Sequence, residues 1–394
     1  FTGSDNTVYW QAAVDYARGI FREPFFYGQD YGDMLEALCA VPLLWMGVPP
    51  YMALPLATSL LALLPFVLLA FAFQRQGSVV SAALCLLVPL ALPIEHGILT
   101  GMTRGFVGGL PFAAALALCW FHPRRRRSFI LFGVLAPVAY LVNPNSVPLI
   151  LMTGAYLVLT APFRPLWYLL AALPTFPLLG LNELAKGFYR THPEYIVHWM
   201  EDLTFSWKGM VQALGQLDLY FKHLGPIFWS AGWIWLFLFL MIAVLTWQRD
   251  RRWSVVLVGI TIALVLFLGI SKVRDGVDNI FHSRERMFLA FPVMIALVLG
   301  WSARIFRWNS TAWYIPLLAI ALCLVGVKSG YYPLVIASAT AREDQGPVAI
   351  VPLDDLERDC AFLADKAEQF SVDVVVLVPD DQKTISMQAA RTYG

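Results

Sequence analysis

Long apolar runs constrain this chain more than any motif it carries. A helix crossing the hydrocarbon core of a bilayer takes about 20 mostly apolar residues. Runs at or near that length recur at 51–73, 78–94, 106–121, 128–143, 146–162, 165–181, 226–247, 253–271, 287–304 and 311–328. Only 14% of the residues are charged and 59% are apolar, against about 25% and 45–50% in soluble domains. That balance excludes a soluble multidomain enzyme. A net charge of +1 leaves no global field to recruit nucleic acid. The expected fold is an all-α polytopic membrane protein with about 10–11 transmembrane helices. The shorter run 35–47, LEALCAVPLLWMG, reads as an interfacial or re-entrant helix.

Orientation follows from the basic residues, which cytoplasmic loops retain. Arg75, the run Arg124 to Arg127, Arg164, the group Arg249, Arg251 and Arg252, and the pair Arg304 and Arg307 fall in alternate loops. Asp250 is the one acid among them. Those five loops are read as cytoplasmic. Residues 1–50, the outer loops 95–105, 182–225 and 272–286, and the tail 329–394 then face the other side. In the tail, strands at 347–353 and 372–379 flank a helix capped by Asp354, which suggests a small extracytoplasmic α/β segment without a phosphate-binding loop. The domains are thus an outer first loop, 1–50, a membrane body, 51–328, and the tail. Cys39, Cys85, Cys119, Cys323 and Cys360 are scattered and odd in number, which fits packing residues and not a disulfide framework.

Chemistry-bearing residues crowd the outer side. Residues 1–36 hold Asp5, Asp15, Glu23, Asp30, Asp33 and Glu36 with Arg18 and Arg22 among aromatics. A carboxyl group against apolar surface gains proton affinity, as a general base or acid near neutral pH requires; a solvated loop is the plain alternative for each single acid. Asp5 opens a helix-like stretch and suits a cap equally well. Glu36 sits inside an apolar run, where an unpaired charge is costly. The loop KVRDGVDNIFHSRER supplies Lys272, Arg274, His282, Arg284 and Arg286, and arginine's planar fork suits phosphate. Ion pairing with Asp275, Asp278 and Glu285 is the alternative there. Glu95, His96 and Arg104 are further substrate-binding candidates. In HPEYIVH, the spacing of His192, Glu194 and His198 departs from the zincin pattern.

GSDNTVYW, then FFYGQDYGDMLEALCAVPLLWMG, then a multi-span body resemble the GT-C superfamily of membrane glycosyltransferases. Within it they resemble the bacterial glycosyltransferase family 39-like proteins, similar to protein O-mannosyltransferases and lipid A aminoarabinose transferases. Asn143-Pro144 and SRERMFLAFP at 283–292 also look like family features. The resemblance implies one more span ahead of Phe1. It implies Asp5 as catalytic base, Glu36 as a second acid in a segment with Gln29 and Tyr31, and Arg286 as the basic residue of the late motif. It implies an inverting transfer from a polyprenyl-phosphate sugar donor to a lipid, glycan or protein acceptor on the outer face of a bacterial inner membrane. A divalent cation near Asp5 fits that pattern; the sequence itself fixes no metal site. The competing expectations are an inactive GT-C-like scaffold subunit and a lipid or solute transporter, which would place charges along a path through the spans.

Overall fold

The computed structural model describes residues 4–341 except 163, 197–202, 227–230, 277–282 and 309, and scattered positions between 358 and 370. The described residues are overwhelmingly helical. In chain order the helices are α1 (Ser4–Ala17), α2 (Leu35–Trp45), α3 (Pro50–Arg75), α4 (Val79–Ala91), α5 (Ile94–Gly101), α6 (Leu110–Ala115), α7 (Leu118–Phe121), α8 (Arg126–Val142) and α9 (Val147–Thr160). They continue as α10 (Pro165–Thr191), α11 (Trp207–Leu214), α12 (Asp218–Phe221), α13 (Trp233–Thr246), α14 (Arg251–Phe267), α15 (Ser271–Arg274), α16 (Ala290–Ile305) and α17 (Tyr314–Ala341).

Among the described residues three helices are long and apolar enough to cross a membrane: α3, α10 and α17. A bent pair, α4 with α5, makes a fourth if it counts as one span. Helices α2, α9, α13 and α16 are apolar but shorter. Each of the ten apolar runs carries a helix, and the architecture is that of an all-α membrane protein. The two tail strands expected at 347–353 and 372–379 lie outside the described residues; helical positions are described between Arg358 and Gln369.

Local chemistry sets the boundaries. Pro50 opens α3 at a position where its missing N–H costs nothing, and Gly77 closes it in the left-handed region at φ 72°. Asp250 caps α14 by accepting the Trp253 N–H at 3.0 Å. The run 78–94 does not stay straight: α4 and α5 meet at 87°. Pro93 forces Leu92 into extended backbone and has no N–H for the Pro89 carbonyl one turn back. Lys328 of α17 supplies the missing donor, its Nζ lying 3.0 Å from that oxygen. The run 106–121 also breaks, because Gly105, Gly108 and Gly109 delay helix until Leu110 and tight turns separate α6 from α7. Conversely α10 continues ten residues past 181, through a helix-favouring stretch in which Glu183 meets Lys186 and Arg190.

The core runs the length of the bundle around α16, nearly every residue of which is buried. At one end Trp120, Tyr156, Trp253 and Trp301 pack together, with Phe73 and Phe121 beside them. This aromatic cluster joins the ends of α3, α7, α9, α14 and α16. It therefore gathers the five basic loops at one end. The acidic first loop and residues 283–286 lie at the other, since Thr58, which contacts Glu36, is 17 residues and roughly 25 Å along α3 from Arg75.

Candidate functional site

The site is built around one tight turn, residues 103–109. Gly105 has φ 73°, a conformation that favours glycine, and a Cβ there would meet the Tyr9 hydroxyl of α1. At Gly109 a Cβ would strike the Ser146 hydroxyl and the Ala139 carbonyl. The Asn-Pro-Asn segment 143–145 locks this turn. Asn143 Nδ2 donates to the Gly105 carbonyl at 2.6 Å, its Oδ1 accepts from the Asn145 N–H at 2.7 Å, and Asn145 Nδ2 donates to the Arg286 carbonyl at 2.7 Å.

Glu36 approaches the turn from α2. It is 1% exposed, and its Oε2 accepts from the Arg104 N–H at 3.1 Å and from Thr58 at 3.3 Å, while Thr58 also pairs with Thr103. Its other oxygen makes no hydrogen bond among the described residues. Burial pushes the carboxyl up to about 7, although the peptide N–H groups of Gly105, Val107 and Arg104 pull it back. Asp33, half-buried nearby, is pushed up to about 6 by burial, against the pull of the Leu35 N–H that it accepts at 3.0 Å. Two carboxyl groups held near neutrality by their surroundings can exchange protons at physiological pH.

Arg286 meets the same turn at Phe106. It is 6% exposed, its guanidinium lies 5.7 Å from the Phe106 ring centroid, and Nη2 donates to Asp275 at 2.9 Å. Lys272 reaches the same carboxylate at 3.4 Å. Arg284 donates to the Gly276 carbonyl and lies 5.7 Å from the Tyr220 ring. Both Arg274 and Arg284 act electrostatically on the Tyr220 hydroxyl, which burial nevertheless pushes up. Arg286 and Lys272 thus share Asp275, while Arg274 and Arg284 lie within electrostatic reach of Tyr220. Glu285 does not join them: it is buried and accepts the His223 N–H at 2.6 Å and pairs with the His223 ring at 2.7 Å. That removes it as a counter-ion for the arginines on either side.

The remaining candidates divide. Asp5 lies in the first turn of α1, one turn before Tyr9, and its side chain is outside the described residues, as is all of His282. Arg104 belongs to the turn itself. Gln29 and Tyr31 are half-buried in the first loop, with the Gln29 N–H bonded to the Phe26 carbonyl. Glu95 and His96 sit on α5; His96 is within electrostatic reach of His223 and Lys328. Among the described residues no group of three or more His, Cys, Asp or Glu side chains is placed to hold a metal. His192 of the HPEYIVH segment instead bonds the Phe188 carbonyl, and His198 is outside the described residues.

Two pairings at the site carry no sequence signal, although Asp15 belongs to the acid cluster of residues 1–36 and Tyr189 to the aromatics of the 182–225 loop. Asp15, buried on α1, takes Arg22 in a two-point ion pair at 2.6 and 3.1 Å with Tyr27 at 3.4 Å. Tyr189, at the far end of α10, stacks on Phe25 and accepts its N–H. Together they fasten the first loop over the bundle end. No protein-family model, curated protein or solved structure matches the chain.

Proposed function

We propose that this protein is an integral-membrane glycosyltransferase of the GT-C type. In this reading the ten apolar helices span a bacterial inner membrane, the basic loops face the cytoplasm, and the Glu36 end faces outward. A sugar passes from a polyprenyl-phosphate donor to an acceptor hydroxyl, with inversion at the anomeric carbon. One carboxylate takes the acceptor proton while polyprenyl phosphate leaves without needing an acid. Asp5 is the base and Glu36, with its raised proton affinity, orients the acceptor or the base. Arg286, Arg284, Lys272 and Arg274 meet the charge that grows on the departing phosphate. The observation that carries this reading is that Glu36 and Arg286, an acid and a cation 250 residues apart in sequence, both meet the 103–109 turn, Glu36 at the Arg104 N–H and Arg286 at the Phe106 ring. The transporter reading expects charged residues along a path through the spans, and the apolar runs of the sequence carry few.

The test is transfer or hydrolysis by the purified protein in lipid, with a panel of radiolabelled polyprenyl-phosphate sugars and Asp5→Asn alongside the wild type. Turnover of one donor that disappears in the variant is expected. No turnover and no donor binding across the panel would leave a scaffold in place of an enzyme. Arg286→Ala should separately weaken donor binding, and an unchanged donor affinity would move the phosphate site elsewhere.

A further inference from the structure

The opposite end of the bundle carries an excess of positive charge that the protein itself does not neutralise. Its five loops hold eleven arginines and one acid. None of those arginines forms an ion pair among the described residues, whereas Asp15, Asp275 and Glu285 at the other end all do. Asp250 is occupied in capping α14 through one of its oxygens. Five of the arginines lie over aromatic rings: Arg75 over Phe71 at 4.6 Å, Arg164 over Trp167 at 4.8 Å, Arg249 over Phe306 at 4.7 Å and Arg251 over Trp247 at 4.8 Å. Arg304 lies against both Phe121 and Trp301. A guanidinium held over a ring makes no hydrogen bond to it, and its fork of N–H groups fits a phosphate oxygen pair.

We propose that this end is a docking surface for anionic phospholipid headgroups, centred on Arg249, Arg252 and Arg304. These three converge where α9, α14 and α16 meet. Arg252 donates to the Thr160 carbonyl at 3.3 Å, and Arg252 and Arg304 both act on the Tyr156 hydroxyl between them. Charge complementarity selects an anion, and the position selects a lipid: every ring-stacked arginine caps the end of an apolar helix or the turn beside it, where a membrane surface lies. The rings would lie beside the upper acyl chains and the guanidinium groups at the phosphates. This inference does not depend on the transferase reading.

The test uses the full chain in a neutral detergent, titrated with mixed micelles carrying phosphatidylglycerol or phosphatidylcholine. Thermal midpoint and retained lipid, the latter counted by native mass spectrometry, are the readouts. Phosphatidylglycerol should raise the midpoint by several degrees and remain bound, and 0.5 M salt should erase most of the effect. The exposed pair Arg249→Gln/Arg252→Gln should reduce retained phosphatidylglycerol about tenfold, and Arg75→Gln/Arg164→Gln in separate loops should give a smaller loss. Lys222→Gln at the other end should change nothing. Equal retention of the two lipids by the wild type would overturn the proposal, as would full preference in both arginine variants. Stabilisation by inorganic phosphate equal to that by phosphatidylglycerol would overturn the lipid assignment.

Discussion

Glu36 is the residue whose surroundings most alter its chemistry, and the sign of the effect is opposite to that of a salt-bridged carboxylate. Its ordinary value of 4.5 applies in the unfolded chain and about 7 in the fold. Between those values the unfolded chain has lost a proton that the folded protein keeps. Stability is therefore full below pH 4.5, falls as pH rises toward 7, and levels off above it, a change on the order of 3 kcal/mol. Asp33, pushed up to about 6, adds in the same direction. Thermal midpoints should decline from pH 5 to pH 8, and Glu36→Gln should flatten much of that decline; a level wild-type curve would show that Glu36 holds no proton. Glu36 was legible in the sequence because it is a lone charge inside an apolar run. The pairs Asp15 with Arg22 and Glu285 with His223 were not, because nothing in a sequence tells which of several neighbouring acids turns inward. Glu285, flanked by two arginines, looked like their counter-ion, and the fold gives it a histidine 62 residues away. The cysteines behave as expected at Cys85 and Cys119, which are buried and bonded to carbonyls; Cys323 is exposed on α17.

At the scale of elements, α8 and α10 approach each other closely at Gly133. A Cβ at Gly133 would strike the Ala171 carbonyl group, and Thr175 bonds the Gly133 carbonyl at 2.9 Å. Gly133→Ala should push the two helices apart and cost about 1–3 kcal/mol, read as a lower thermal midpoint, whereas Gly180→Ala, with open space around it, should leave the midpoint unchanged or slightly higher. At the turn, Asn143→Ala removes a donor to Gly105 and an acceptor for Asn145, and should lower stability and donor binding together. A variant that loses stability alone would separate the turn from ligand binding. Apolar runs revealed where helices form, since burial in lipid needs length and little else. Where they bend was less legible: the α4–α5 corner depends on Pro93, but its repair depends on Lys328, more than 230 residues later. The extension of α10 past 181 was missed because its last three turns are polar, and hydropathy alone ends a helix where the membrane would end.

For the whole molecule, the basic loops and the acidic first loop lie at opposite ends of the bundle, as the alternation of arginines along the sequence suggested. In a cysteine-free background, single cysteines at Arg125 and Asp30 should label with a membrane-impermeant maleimide from opposite sides of sealed vesicles, Asp30 from outside in intact cells. Labelling of both from one side would undo the proposed topology. The locking of the 103–109 turn has a further consequence, for biosynthesis. The turn emerges from the ribosome early, but one of its clamps, Asn145 to Arg286, waits for another 141 residues. At 5–20 residues per second that interval is roughly 7–30 s. Throughout it Glu36 already has its partners Thr58 and the Arg104 N–H, while the segment that locks their turn still lacks its contact to Arg286.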